Sequence, residues 1–496
     1  MIWEGFLNIF TLESILLIVT GVIIGVTFGC IPGLSANMAV TLCLPLSFVL
    51  EPVPGIALLV SLYLGGISGG LISAILLKIP GTPASIATCF DGGPMADKGE
   101  AGKALSAGII FSFLGGLVSI LLLIFVSPTL AKLALKFGPF EYCAVAIFSL
   151  TLVSGLVGKD FTKGIIGAFI GVMLSTIGAA PIDGAPRFTL GNRDLQGGLN
   201  VIALMIGLFA VAEVIKIAED SVIRQTAVKP INFKITGFGL SLKEIWGQKF
   251  NAIRSALIGT AIGILPGLGG STANIISYSV AKNQSKHSED FGTGILDGIV
   301  ASETSNNATV GGALIPLLTL GIPGDVTTAI LLGAMTIHGI STGPLMFKTN
   351  GVLVYSVFAA LLLANVVMLI VMYSGLRGFV RLLSVPKRYL LPIVMVFCLV
   401  GAFAINNRMF DVWCVLVFGV LGYLLNKAEI PFAPVVMGFI LAPIVELYLR
   451  RAAMLTEGDM SGFFTRPIAC GFSVFTLLFV AWQIVKIVHS KRKVKA

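Results

Sequence analysis

Apolar runs separated by short polar stretches fill this chain from residue 14 to about residue 485. Many approach twenty residues, the length that crosses a bilayer core of about 30 Å as a helix. The pattern predicts an all-α integral membrane protein with roughly ten to twelve transmembrane or re-entrant helices. The run from Ser14 lacks a basic leader and a small-residue cleavage site, so it reads as a first membrane segment rather than a signal peptide.

Two runs are interrupted in the same way. Residues 78–83 read KIPGTP and residues 321–325 read GIPGD. Proline removes a backbone donor and clashes with the preceding turn, and glycine frees the chain to change direction. The interruptions belong to a larger internal repeat. GVTFGCIPGL (25–34) pairs with GTAIGILPGL (259–268), matching Gly25 with Gly259, Gly29 with Gly263, Pro32 with Pro266 and Gly33 with Gly267. SGGLISAILLKIPG (68–81) pairs with GGALIPLLTLGIPG (311–324), placing Pro80 and Gly81 opposite Pro323 and Gly324. Two motifs in one order and at nearly one spacing mark two copies of one unit.

In lipid, a broken helix frees N–H and C=O groups that cost several kcal/mol each unless they line a cavity. Paired breaks therefore point to a binding site near the midplane, where half-helix ends and small polar side chains hold a substrate or an ion. The candidates on the first copy are Pro32, Gly33, Ser35, Asn37, Lys78, Pro80, Gly81 and Thr82. Those on the second are Pro266, Gly267, Ser271, Thr272, Asn274, Pro323, Gly324 and Asp325. Lys78 is a charge beside a break. It binds a substrate carboxylate, pairs with Asp325, or snorkels to the interface from a run that ends early. Glu303, Ser305, Asn306 and Asn307 form a polar cluster before the second break. It is either a cavity-facing helix start that contacts substrate or a cation, or a solvated loop with an N-cap. DGGPMADKGEAGK (91–103) reads as an exposed loop.

Composition agrees: 56% of the 496 residues are hydrophobic and 11% charged, against about 25% charged in soluble domains. Mean hydropathy is +0.99. The net charge of +9 is unevenly placed. Glu4, Glu13 and Glu51 precede the first basic residue, Lys78, whereas Lys216, Arg224, Lys229, Lys234, Lys243, Lys249 and Arg254 crowd residues 216–254. Arg377, Arg381, Lys387 and Arg388 form a second cluster, and the tail ends KRKVKA. The positive-inside rule puts these clusters in the cytoplasm and the N-terminus outside. The second copy then starts from the opposite side to the first, which makes the repeats inverted. The expected division is a first repeat at 1–215, a basic cytoplasmic connector at 216–254, a second repeat core at 255–375, and C-terminal helices with a basic cytoplasmic tail at 376–496. Basic clusters set between apolar spans do not fit nucleic-acid binding. The seven cysteines are scattered without a CxxC pair and the three histidines are isolated, so no metal site is expected beyond Na⁺ near the breaks. No nucleophile–base or metal cluster supports an enzyme, and no GxxxxGK[ST] loop supports ATP drive.

Several stretches together resemble the large membrane subunit of the tripartite tricarboxylate transporter family (TctA type). They are GCIPGLSANM, KIPGTPASIATCFDGGPMADKGEAGKAL, GILPGLGG, ISYSVAKNQSKHSEDFG, ETSNNATVGGALIPLLTLGIPG and LLGAMTIHGISTGPLMF, within residues 20–350. The resemblance implies a bacterial inner-membrane secondary transporter for carboxylates, driven by Na⁺ or H⁺ and free of cofactors. It implies a small membrane partner (TctB type) and a periplasmic solute-binding protein (TctC type); a homo-oligomer is compatible with it. A stand-alone carboxylate symporter is the alternative. Lys78, Gly270-Ser271-Thr272, Ser302 and Asp325 depart from the family pattern beside the expected site, and the Lys78 ammonium could replace a coupling cation there.

Overall fold

A computed structural model describes residues 2–156, 160–223, 239–383 and 387–495. Arg224, Lys229 and Lys234 of the expected connector lie outside these residues. Among the described residues, nine helices are long and apolar enough to cross a membrane, and shorter apolar helices accompany them. Among the described residues the one sheet is a two-residue ribbon, Gly178–Ala179 against Pro186–Arg187. The protein is an all-α, multi-pass membrane protein.

The first copy contains α1 (Ile2–Ile9), α2 (Leu12–Cys30), α3 (Ala36–Ser47), α4 (Pro52–Leu77), α5 (Thr88–Asp97) and α6 (Ala101–Ala134). α7 (Pro139–Leu156), α8 (Phe161–Ser175), α9 (Arg193–Gln196), α10 (Val201–Met205) and α11 (Ala212–Ile223) follow. The second copy runs through α12 (Leu242–Gly247), α13 (Lys249–Ile264), α14 (Gly269–Gln284), α15 (Leu296–Leu320), α16 (Val326–Ile337), α17 (Met346–Thr349) and α18 (Gly351–Leu382). α19 (Lys387–Asn406), α20 (Met409–Lys427), α21 (Phe432–Leu455), α22 (Gly462–Thr465) and α23 (Pro467–Lys495) complete the chain.

Glycine lets the repeated helices touch backbone to backbone. A Cβ on Gly25 or Gly29 of α2 would lie 2.4 Å from Leu62 O or 2.1 Å from Gly66 O of α4. The same contact recurs between α13 and α15, where Gly259 and Gly263 face Ser305 O and Thr309 O at 2.2 and 2.7 Å. Side chains at these positions would force the helices apart. Both pairs are parallel, because the contacts advance together along the two helices. The last long helix of each copy packs on the other copy: α6 lies against α13 and α15, and α18 against α2 and α4.

Contacts at the helix ends show that the copies run in opposite directions. The starts of α2, α4 and α18 share one cleft, lined by Thr11, Glu13, Glu51, Pro52, Asn350 and Gly351. The starts of α6, α13 and α15 meet at the other end of the bundle. There Lys103 Nζ is 2.7 Å from Glu244, Gly239 N donates to Ser106 Oγ, and Gln248 Nε2 donates to Asp297. Hydrogen bonds from Lys103 and Ser241 hold the exposed Glu244 carboxyl down at about 2. The inverted repeat expected from the sequence is thus visible in the packing.

Each copy enters as a helical hairpin. α2 goes in, the chain turns at residues 31–35, and α3 returns to the end where α4 begins. α13 and α14 do the same from the other end, with Arg254 bonded to Gln284 across the hairpin base. α4 and α15 then cross the bundle. α4 has 26 residues, about 39 Å at about 1.5 Å each. Both helices stop in left-handed caps, at Lys78 (φ 57) and Gly321 (φ 73). The chain doubles back, placing Gly81 against Gly70 and Gly324 against Ala313, and leaves again as α5 or α16.

Two local expectations are corrected. Residues 91–97 are not an exposed loop but part of α5, and Asp91 is fully buried. Its Oδ1 accepts from Gly292 N, Gly294 N and Ile295 N at 2.9–3.0 Å, and its Oδ2 from Tyr278 Oη. Glu303, Ser305, Asn306 and Asn307 form neither a helix start nor a solvated loop. They sit buried in the middle of α15, which is polar there because its neighbours supply hydroxyl partners.

Candidate functional site

The four breaks meet. A cavity of about 230 Å³ lies between the hairpin tips and the two doubled-back segments. Ser35, Asn37, Thr82, Gly267, Ser271, Thr272 and Asp325 line it, all of them expected from the sequence. A wider cleft of about 740 Å³ lies between helix ends at the first end of the bundle and contains none of the breaks.

Each wall residue is held by local chemistry. Ser35 caps α3, its Oγ accepting from Met38 N at 3.2 Å. Asn37 Oδ1 accepts from Thr327 Oγ1 at 2.5 Å, tying the first hairpin to α16. Gly267 (φ 81) takes a left-handed turn, and its N–H donates to Gly324 O at 2.7 Å. Asp325 caps α16, accepting from Thr328 N and Thr328 Oγ1 at 2.8 Å through Oδ1. Its Oδ2 accepts from Tyr63 Oη at 2.5 Å. Among the described residues no Lys, Arg or His lines the cavity. Backbone N–H groups at the starts of α3, α14 and α16 bring partial positive charge to it, and Asp325 brings a carboxylate.

The other expected site residues stand behind the wall. Pro32 and Gly33 (φ 95) form the first tip, Pro266 the second, and Pro80 and Pro323 lead into the doubled-back turns. Gly81 and Gly324 allow close approach: a Cβ on either would fall 2.2 Å from Gly29 O or 2.6 Å from Gly263 O. Asn274 braces the site, accepting from Ala87 N at 2.7 Å and donating to Ser302 O at 3.2 Å. Glu303 accepts from Thr88 Oγ1 (2.5 Å) and Ser112 Oγ (3.1 Å). Ser305 donates to Ala273 O and Ser302 O. Asn307 accepts from Ser68 Oγ and donates to Glu303 O.

Lys78 is the clear correction. It neither reaches the cavity nor pairs with Asp325. Its Nζ lies 2.7 Å from Asp97, with both side chains more than half exposed. Lys78 follows the full 26-residue length of α4, at an exposed helix end rather than in a run that ends early. It therefore does not stand in for a coupling cation at the cavity.

Sequence reasoning missed Ala36, Ile67, Pro83, Ala84, Leu156, Leu268, Gly269, Gly270, Val326 and Ala433 in the wall, where Thr327, a polar residue beside the second break, also stands. Most adjoin a break and could have been included. Leu156 and Ala433 come from α7 and α21, outside the repeat, and no local pattern marks them. Tyr63 was also missed, although a tyrosine within an apolar helix asks for a hydroxyl partner. The group His287, Glu289 and Asp290 brings potential metal ligands together, but it is exposed and outside the cavity.

A family model described as "Tripartite tricarboxylate transporter TctA family" matches residues 15–437. The chain belongs to this family. TctA proteins are transporter subunits, not enzymes. An uncharacterized 52.8 kDa protein in the TAR-I ttuC' 3' region of Agrobacterium vitis is 35% identical over 98% of this chain and 96% of its own length. An uncharacterized protein in the TAR-II ttuC' 3' region of the same organism is 37% identical over 47% of this chain and 97% of its own. No solved structure matches the chain. As a TctA-family member it is a multi-pass tricarboxylate-transporter subunit.

Proposed function

We propose that this chain is the large transport subunit of a binding-protein-dependent secondary transporter that imports di- or tricarboxylates. The observation that carries this reading is the convergence of four breaks, from two oppositely directed repeats, on one cavity of hydroxyls, amides and helix N-termini. Such a lining binds carboxylates without a basic side chain. Alternating access follows when one part carrying the cavity moves against another. A Na⁺ or H⁺ gradient supplies the drive, and a small TctB-type membrane subunit and a TctC-type periplasmic protein complete the system, as the family suggests. Charge favours an orientation. Lys103, Arg254 and Lys282 lie at the end where α6 and α13 begin, and Lys348 with Glu13 and Glu51 at the other. By the positive-inside rule the first of these ends is cytoplasmic. α23 starts beside the start of α7 (Arg466 to Glu141, 3.6 Å) and reaches Gly155 through Gln483. The C-terminus then faces the cytoplasm and the N-terminus the periplasm of the bacterial inner membrane.

The test is uptake of labelled citrate, malate and succinate into liposomes holding this chain and its small partner. It is run with and without the binding protein, under inward Na⁺ or H⁺ gradients. The expected result is uptake only with the binding protein and with one of the two gradients. Uptake without the binding protein would establish a stand-alone symporter instead. Uptake that is absent in every arm would overturn the carboxylate reading.

A further inference from the structure

The pseudo-two-fold that relates the repeats sets Tyr63 opposite Asn306, Thr82 opposite Asp325, Ser85 opposite Thr328, and Ala36 opposite Gly270. The backbone contacts respect this register, since Leu62 and Gly66 of α4 play the parts of Ser305 and Thr309 of α15. Around Asp325 the arrangement is closed. Its carboxylate is clamped between the Thr328 N–H and hydroxyl on one side and the Tyr63 hydroxyl on the other. The Thr328 hydroxyl also accepts from Asp325 N and donates to Asp325 O. The first copy repeats that last feature, with Ser85 Oγ accepting from Thr82 N at 3.4 Å and donating to Thr82 O at 2.9 Å.

The carboxylate itself has no counterpart. Thr82 carries a hydroxyl and a methyl where an aspartate carries a carboxylate, its oxygen reaching one bond less far, and Asn306 is much shorter than a tyrosine. The Thr82 hydroxyl faces Ser85 N in a loose capping box with its own proton uncommitted, and both polar atoms of Asn306 are buried without a well-formed hydrogen bond. Thr82 is 4% exposed and Asn306 fully buried. Glu303 lies a turn from Asn306 and feels its amide, with no well-formed hydrogen bond between them. Buried donors left open in this way are uncommon and ask for a partner. Thr82 itself lines the cavity, and Gly270 in the same wall lies against Asn306. A Cβ on Gly270 would lie 2.6 Å from Asn306 Oδ1 and 3.0 Å from the Ala84 methyl, and the first copy has such a methyl at Ala36.

We propose that a carboxylate of the transported substrate docks between Thr82 and Asn306, in the image of the Asp325 carboxylate. This deepens the carboxylate-transport reading and rests on it. The protein supplies one carboxylate of a pseudo-symmetric pair and the substrate supplies the other. Thr82 Oγ1 and Asn306 Nδ2 donate to the incoming group, as the hydroxyls of Thr328 and Tyr63 donate to Asp325. The site is therefore electrically lopsided. The substrate's anionic pole faces Thr82, and the pole facing Asp325 carries no negative charge: a hydroxyl, an amide or a protonated acid. A cation between Thr82 and Asn306 is the competing occupant.

The test is equilibrium binding of labelled succinate, its monoamide succinamate, malate and citrate to the full chain in lipid nanodiscs, with melting temperature read in parallel. The wild-type chain is expected to bind succinamate at least tenfold more tightly than succinate, and Asp325→Asn is expected to erase that preference. Thr82→Asp gives the first copy the carboxylate that the second already has. It is expected to weaken every probe at least 100-fold without lowering the melting temperature. Asn306→Leu is the second variant, expected to cost at least tenfold in binding while leaving the melting temperature unchanged or higher, because an unpaired buried amide is removed. Carboxylate binding within threefold of wild type in Thr82→Asp and Asn306→Leu would overturn the proposal, as would equal affinity for succinate and succinamate. So would loss of ²²Na⁺ binding in Asn306→Leu with carboxylate binding intact. If no probe binds the wild-type chain, the carboxylate reading fails first and this proposal with it.

Discussion

Lys78 ends α4 with φ 57, a backbone state that favours glycine, and its repeat counterpart is Gly321. Left-handed backbone costs a non-glycine residue about 1–2 kcal/mol, and an exposed ion pair such as Lys78–Asp97 returns about 0–1 kcal/mol. Lys78→Gly is therefore expected to leave stability unchanged or raise it by up to about 2 kcal/mol, checked by thermal melting, and to leave uptake unchanged. A loss of uptake would return Lys78 to the mechanism. Asp325 is the opposite case. Asp325→Ala strands the Tyr63 hydroxyl and the Thr328 N–H in a buried site, a loss of about 1–3 kcal/mol for each group left unpaired. The expected outcome is a lower melting temperature together with loss of uptake. Tyr63→Phe should destabilise less, because Oδ1 keeps both of its donors. Asp325 could be picked from sequence because a charge next to a break is conspicuous. Asn306 could be picked as part of a polar cluster, but its missing partner could not be read there.

At the scale of elements, the helix pairs α2–α4 and α13–α15 have the same design. Gly29 lies against Gly66 O and Gly259 against Ser305 O, each too close for a methyl group. Gly29→Ala and Gly259→Ala are expected to destabilise by similar amounts, about 1–3 kcal/mol or more. The check is the fraction of monodisperse protein after heating. A large cost at one site and none at the other would mean that the two pairs do not share their packing. The repeat was legible from residues 25–34 and 259–268 because glycine and proline are required wherever backbones touch or break. The register of α15 was not. Its polar centre looks like a loop in isolation, and Ser68, Thr88 and Ser112, which make it a buried helix, are far away in sequence.

At the scale of the whole molecule, opposed hairpins make a topological prediction. Single cysteines at Glu51 and Gly339 should react with an impermeant maleimide in right-side-out vesicles. Those at Lys98 and Lys286 should react only in inside-out vesicles. Labelling of all four from one side would remove the inverted topology. Cys89 and Cys470 are half-buried and are first replaced by serine, and the other five native cysteines are buried. α6 and α18 each pack on the other copy's helices, so the halves interlock and neither copy is a separable lobe. The cavity borrows Leu156 and Ala433 from α7 and α21.

Sequence alone determined the membrane class, the repeat, its inverted sense and most of the polar residues at the cavity. Those properties follow from local requirements: apolar length for the bilayer, glycine and proline for the breaks, and basic residues for one side. Tertiary structure decided what each polar residue meets. It sent Lys78 to the surface because α4 is long enough to cross first, and it buried Glu303 among hydroxyls from other helices. It closed Asp325 with Tyr63 and left Thr82 and Asn306 open. Pairing in a low-dielectric interior depends on distances between residues more than two hundred positions apart in the chain, which no local pattern encodes.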